Sequence, residues 1–411
     1  MPYRRPVELP GEWATGKVVD SQGKAVTLQV EADGRVFAAL EVAPYAFLTL
    51  RRLPQEPSQA VHTTRDDALV LENGTLCASF SQDGTLQSLT SSSGENCLAS
   101  AGNVLSLYHD DPAEYDAWDL DPWYRTQKTA TAASGKAPWR ERGPVRSLLH
   151  FSLAIGVSTL EQEVSLAGNG ETLAFHTVVD WKEGRKILRV AFPTTVRNSW
   201  ATYDIQYGQI RRPTHTNTSW DSVQFEVCAH RYADLSTPEG GVALLNDGKY
   251  GHSIRDGVLE LSLLRAPKWP DYTCDLGRQE FTYAIQPHKA ALEASAVQSE
   301  AAQLNRPPAC FAGEAPAGLA LPFRLDGKGF TLEVVKRGEK SDDLYLRLVE
   351  NHGRHAQGAL LFPADSPVPR VAISDAMEWN EEGTLPLQDG RCPFSLAPYQ
   401  ILTLKVSAQK Q

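Results

Sequence analysis

The feature that most constrains this chain is the rhythm of its apolar residues. Short stretches alternate apolar and polar side chains and are cut at intervals by Gly, Asp and Asn. VTLQVEA (26–32) is followed by Asp33-Gly34 and then by RVFAALEV (35–42). LVLENGTLCASFSQDGTLQSLTS (69–91) carries two alternating runs around Gln82-Asp83-Gly84. Period-two alternation places one set of side chains on one face of an extended strand, and an Asp-Gly pair between two such runs is a hairpin signal. Many short strands with close turns predict an all-β chain of sandwiches rather than a parallel sheet wrapped in helices. The exception is KAALEASAVQSEAAQLN (289–305), rich in strong helix formers, which predicts a single helix. It runs into RPPACFAGEAPAG, whose Pro, Ala and Gly content reads as a linker.

At 411 residues the chain is long enough for two or three cores. The boundaries that follow are 1–56, with too few strands for a sandwich of its own, then a large β-domain over 65–300. A linker over 301–318 leads to a last β-domain over 319–411. A formal charge of −10 argues against nucleic acid and against anionic membrane surfaces as partners. No apolar run approaches the roughly 18 residues needed to span a bilayer, and the basic start MPYRRPVELPGEW has no apolar core behind it. These features predict a soluble, cytoplasmic protein. The six cysteines are scattered, with no CxxC and no His at ligand spacing, so they read as reduced small hydrophobes. Asn73-Gly-Thr75 and Asn217-Thr-Ser219 fit the glycosylation pattern and read as chance matches.

Chemistry concentrates in YDAWDLDPWY (115–124), preceded by His109-Asp110-Asp111. Indole and phenol rings present flat apolar faces, and ionised carboxylates accept hydrogen bonds from hydroxyls or arginines. Together they suit a sugar: stacking for the C–H face of a pyranose, acceptors for its hydroxyl edge. A buried aromatic loop at a sheet edge, its acids capping backbone N–H groups, accounts for the same residues equally well. If the segment is extended, Asp119 and Asp121 share a face, too close together to straddle a glycosidic bond as the two carboxyls of a glycosidase do. No catalytic residue and no metal ligand is assigned. A second dense block holds Tyr203, Asp204, Arg211, Arg212, His215, Trp220 and Asp221. Its arginines read as a polar rim or a solvated turn, and Trp220-Asp221 as a support packed on the first loop. His352 and His355 stand three residues apart without a carboxylate beside them, a weak metal signal.

YDAWDLD with its flanking aromatics resembles the WDAWD-type loop of glycoside hydrolase family 38 α-mannosidases, in the half that follows their catalytic domain. KILRVAFP (186–193), the run 201–236, GVALLNDGKYGHSIRDG (241–257), LELSLLRAPKWPD (259–271) and FTYAIQPH (281–288) are similar too. So are LRLVENHG (346–353) and PYQILTL (398–404). One departure is Gln279, which stands before Glu280-Phe281 where the family's pattern has His. The resemblance implies a galactose-mutarotase-like super-sandwich over 65–300, an immunoglobulin-like sandwich over 319–411, and the end of a small β-domain in 1–56. It also implies that the catalytic aspartates and the divalent metal, Zn or another, belong to an N-terminal barrel that these residues do not include. The expected role is then the C-terminal portion of a retaining, metal-dependent exo-α-mannosidase, inactive alone. Its partners would be the barrel and α-mannoside glycans, and it could form a homo-oligomer. Trp118, Asp119, Asp121 and Arg265 are the expected sugar-contacting residues, with Arg265 offering its guanidinium or its backbone carbonyl; an ion pair between Arg265 and one of the loop aspartates accounts for that arginine equally well. A stand-alone carbohydrate-binding or assembly protein is the alternative.

Overall fold

Between Ser158 and Ala167 the side chains are buried and exposed in turn, as a strand with one face on a core requires. A computed structural model of the chain describes residues 2–92, 94–313, 321–363 and 369–408; the far end of the expected 301–318 linker lies outside them. Strands dominate, and the described residues fall into two units. The first comprises Met1–Pro44, Leu48–Asp204 and Arg211–Ala315; the second comprises Tyr45–Phe47, Ile205–Ile210 and Pro316–Gln411.

The first unit is built on two large antiparallel sheets. Its functional end needs five strands: β1 (Val104–His109), β2 (Leu173–Trp181), β3 (Lys186–Pro193), β4 (Val258–Arg265) and β5 (Gly277–His288). β1, β3 and β4 are neighbours in a six-stranded sheet, and β2 and β5 pair at the centre of a ten-stranded one. Leu188, Val190 and Phe192 of β3 and Leu259, Leu261 and Leu263 of β4 join Phe175, Trp181, Phe281 and Tyr283 in one core. Phe175 and Tyr283 stack with centroids 5.1 Å apart. The Tyr283 hydroxyl is satisfied inside this core, accepting from Gln162 at 2.9 Å and donating to Asn103 at 2.5 Å. The Gln82-Asp83-Gly84 turn closes the hairpin of Leu76–Phe80 and Leu86–Ser91, with Gly84 at φ +78°, where a side chain is disfavoured.

The other face of the ten-stranded sheet is covered by α1 (Val297–Asn305). Val297 and Ala301 pack there on Ala174, Tyr232, Ala243, Leu245 and Ala284. The helix is shorter than the single one expected over 289–305: a separate 3-10 turn spans Leu292–Ala294. Ser295 between them is extended, and its hydroxyl donates to the Leu292 carbonyl at 2.7 Å and accepts from the Val297 N–H at 3.3 Å. That local bonding competes with the helix ladder and splits it.

A four-stranded sheet of Val7–Leu9, Val36–Ala38, Leu28–Val30 and Val61–His62 buries its own small core. Its attachment to the large sandwich is ionic. Buried Glu31 receives two bonds from Arg146, at 2.7 and 2.8 Å, and Glu141 accepts from the Ala32 N–H and the Thr63 hydroxyl. The Arg146 guanidinium lies 3.7 Å over the Phe37 ring.

The second unit is a sandwich. Three strands, Arg324–Lys328, Ala356–Leu361 and Arg391–Leu396, form one sheet; five, including Leu344–Val349 and Ile401–Ala408, form the other. Leu346, Leu348, Leu360, Val371, Phe394 and Leu404 fill the space between.

Candidate functional site

Three strand ends meet at one end of the six-stranded sheet. His109 at the close of β1 pairs with Lys186 at the start of β3, whose Ile187 pairs with Arg265 at the close of β4. The chain leaves β1 through Asp110 and returns along the sheet edge at Lys128–Thr131, so residues 110–127 form a long connection over that corner.

The connection is turned, not extended. Tyr115 has φ +52°, and its carbonyl accepts from the N–H groups of Trp118 and Asp119 at 2.7 and 2.9 Å. A 3-10 helix then runs Pro122–Thr126, with proline at its first position, where its fixed φ suits a helix start. The alternation argument that places Asp119 and Asp121 on one face therefore does not apply. The turn has a long-range cause: the Asp116 carboxylate accepts from the backbone N–H groups of Lys268 and Trp269, the latter at 3.1 Å.

The other acids are committed in different ways. Asp110 is 2 % exposed and forked by Arg265, whose Nη2 also donates to the Asp119 carbonyl. Burial pushes the Asp110 carboxyl above its ordinary range, with Arg265 pulling against it. Asp121 accepts from the Ala113 N–H at 2.9 Å, and Asp111 pairs with Arg185. Among the described residues only backbone bonds involve Asp119; its carboxylate is exposed and without a partner. Of the four expected contact residues, Trp118 and Asp119 face solvent, while Asp121 and the Arg265 guanidinium are occupied in holding the loop.

Sequence reasoning missed Trp269 and Tyr272, which complete the surface. Trp118 is 65 % exposed and its ring centroid lies 5.8 Å from that of Trp269, itself 56 % exposed. Tyr115, Trp123 and Tyr272 are also exposed. The signal was present in the KWPDY string (268–272) but carries no local pattern that ties it to residue 116.

Beneath the loop lies a buried ionic brace. Arg189 of β3, 2 % exposed, reaches Glu226 at 3.0 Å. Glu226 also accepts from the Tyr124 hydroxyl at 2.8 Å and from Ser262. Arg125 donates twice to Glu260 at 2.8 Å and once to the Phe225 carbonyl. His252, fully buried beside this brace, has its pKa pulled down to about 3 by burial and by Arg189.

The second dense block plays other parts. Phe225 and Glu226, not Trp220, pack on the loop: Trp220 is 81 % exposed, and Asp221 is spent on a capping box with Thr218. Asp204 is buried and forked by Arg231, while Tyr203 is buried with its hydroxyl pushed up to about 12. Arg211 lies over Trp200, Arg212 over Tyr203, and His215 stands 3.5 Å from Asp221. Gln279 donates to the Asp275 carbonyl. All six cysteines are free, and the Asn73 amide is engaged by the carbonyls of Ala167 and Gly170. Among the described residues no three His, Cys, Asp or Glu side chains gather as metal ligands. No helix of the described residues is long and apolar enough to cross a membrane.

Comparison with known proteins places this geometry. Residues 71–273 match the Glycosyl hydrolases family 38 C-terminal domain, and residues 329–404 match the Glycosyl hydrolases family 38 C-terminal beta sandwich domain. Alpha-mannosidase 2C1 of Homo sapiens is 41 % identical over 368 residues, covering 87 % of this chain and 35 % of that protein. Alpha-mannosidase of Saccharomyces cerevisiae is 34 % identical over 304 residues, 67 % of this chain and 27 % of its own length. The chain thus spans about a third of the curated relatives it matches. The crystal structure of an alpha-mannosidase from Enterococcus faecalis V583 superposes with a TM-score of 0.72 at 16 % identity, covering 98 % of this chain and 54 % of that one, and shares the fold. With two family models matched and a relative 41 % identical over 87 % of this chain, the chain belongs to glycoside hydrolase family 38, as a C-terminal region of that family.

Proposed function

We propose that this chain is the C-terminal portion of a retaining, metal-dependent exo-α-mannosidase. In this reading it closes the sugar site of an N-terminal catalytic barrel and has no turnover of its own. The observation that carries the reading is the loop at the corner of the six-stranded sheet. Asp116, Asp110 and Arg265 hold its backbone, while Trp118, Trp269 and the free carboxylate of Asp119 are left facing outward. An indole pair beside an unengaged acceptor matches the apolar face and hydroxyl edge of a mannose residue. A rigid platform of this kind contributes orientation without supplying the two carboxyls that hydrolysis requires.

The barrel would hold the divalent metal, zinc or another, and the reacting carboxyls. The partners of this chain would then be that barrel and α-mannoside glycans in the breakdown of mannose-containing material. Six free cysteines suit a reducing, cytoplasmic setting for such an enzyme.

The test is hydrolysis of an aryl α-mannoside by the purified 411-residue chain with added Zn²⁺ or Co²⁺, alone and mixed with the N-terminal fragment of a family relative. Turnover only in the mixture, reduced by Trp118→Ala, is expected. Turnover by the chain alone, lost on Asp119→Asn, would sink the proposal and move the chemistry into the loop.

A further inference from the structure

The second unit carries a cleft that the loop at the corner of the first unit does not account for. It encloses about 400 Å³ and is lined by Lys336, Glu339, Lys340, Tyr345, Arg347 and Trp379, among others. One wall is a tight turn between Ser374 and Glu381. Asp375 fixes it, accepting from the N–H of Trp379 at 2.9 Å, from that of Asn380 at 3.2 Å and from the Asn380 side chain at 2.8 Å. Inside the turn Glu378 is held at φ +63°, a left-handed conformation that costs a non-glycine residue free energy unless its surroundings enforce it.

The strain has a visible product. It aims the Glu378 carboxylate inward, where Arg347 donates to it at 2.7 Å and Lys336 lies 2.9 Å away, so the floor of the cleft is charged, neutralised and fixed. The neighbouring indole of Trp379 is turned out into water, 74 % exposed, with Met377 beside it at 61 %. The three bonds to Asp375 fix the turn that presents this indole at the mouth of the cleft. Facing it, Lys340 and Glu339 have no hydrogen-bond or ion-pair partner among the described residues and offer a free donor and a free acceptor.

We infer that this cleft is a second saccharide-binding site, taking one neutral hexose unit stacked on Trp379 with its hydroxyls shared between Lys340 and Glu339. The choice of a sugar as occupant rests on the proposed function above; the cleft, its strained turn and its exposed indole do not. A single ring stacked on one indole, with two exposed polar partners, gives weak binding that becomes useful when the same glycan also engages a second site on the molecule.

The experiment uses the full 411-residue chain with its nine tryptophan side chains labelled with ¹⁵N and observed by their indole N–H signals, Trp379 and Trp118 being assigned from Trp379→Phe and Trp118→Phe. Methyl α-mannoside is titrated in. The Trp379 signal is expected to move in a saturable way, to keep moving in Trp118→Ala, and to lose its partner in Glu339→Gln/Lys340→Met with about a tenfold weaker Kd. Three results overturn the site. One is a Trp379 signal that stays still throughout. Another is one that follows dilution of the protein without sugar, which makes the cleft a contact between copies. The last is a shift undiminished by the double substitution. Because Trp118 reports separately, and complementation by the barrel fragment is a different assay, loss of this site leaves the proposed function standing and the reverse also holds.

Discussion

The two outer faces of the large sandwich are both covered, by opposite means. On the ten-stranded sheet the cover is α1, whose contact is mainly apolar, Val297 and Ala301 on Ala174, Tyr232, Ala243, Leu245 and Ala284, with Gln298 and Asn305 donating to the Tyr232 hydroxyl and the Asn246 carbonyl beside it. On the six-stranded sheet the cover is the 110–127 connection, and beneath it lie Arg189, Glu226, Glu260 and Arg125. Apolar contact is tolerant of small shifts, whereas an ion pair out of water is stable only with its partners in place. The first arrangement keeps a helix on. The second keeps a loop in one conformation, which is what a surface that presents Trp118, Trp269 and Asp119 to a ligand needs.

Breaking the charged side should therefore have the largest effect. Arg189→Ala would leave Glu226 and Glu260 short of a buried partner and is expected to cost about 3–5 kcal/mol in urea-induced unfolding. The Trp118 signal should broaden in the same variant. A cost below about 1 kcal/mol would mean that water already enters the brace and that the contrast between the two faces is false.

The charged side should also respond to pH. His252 is held neutral, its pKa pulled down to about 3 from the ordinary value near 6.5, so below that ordinary value the unfolded chain takes up a proton that the folded chain refuses. Stability is thus full above pH 6.5 and falls as pH drops toward 3, with a contribution on the order of 1 kcal/mol per pH unit from this residue. Thermal unfolding of the His252→Gln variant across that window should show a flatter decline; an unchanged slope would remove His252 from the explanation.

On the apolar side, Ala301→Leu pushes methyl groups into the contact with Ala243 and Ala284 and should cost about 1–3 kcal/mol, read from the urea midpoint. Saccharide binding at the loop should be unaffected in that variant. The smallest stability effect belongs to Trp118→Ala: an exposed side chain, worth within about 0.5 kcal/mol of folding free energy, whose loss should nonetheless reduce mannoside turnover in the barrel mixture. The two numbers together separate presenting a surface from building it.

How far these features could be read in the chain depends on their range. Alternation over 158–167 and the Asp83-Gly84 turn are local, and strand and hairpin follow from them directly. Helix formers over 289–305 are equally local, but the list of propensities does not include the hydroxyl of Ser295, which ends the 3-10 turn and delays α1. The loop fails differently. Its turn is set by Asp116 bonding to residues 152 and 153 positions away, and Arg265 finds Asp110, just upstream of the aspartates considered for it. Trp220 looked like a packing partner because it is large and apolar; its neighbour Asp221 caps the helix turn, and Phe225 and Glu226 take the contact. Aromatic content announced the candidate site, but which rings are presented and which acids are free was decided by bonds that no local pattern encodes.

The ionic seam between the small sheet and the large sandwich sets a timetable for synthesis. Glu31 leaves the ribosome with only Arg35, four residues on, to pair it until Arg146 follows, 115 residues later, an interval of roughly ten seconds at ordinary elongation rates. During that interval the small sheet carries a carboxylate destined for burial and an unsealed apolar edge, while the strands that will cover it do not yet exist. This stretch is thus most exposed to mispairing while residues 62–146 are being made, and slowing elongation there should lower the yield of folded protein more than an equal delay after residue 170.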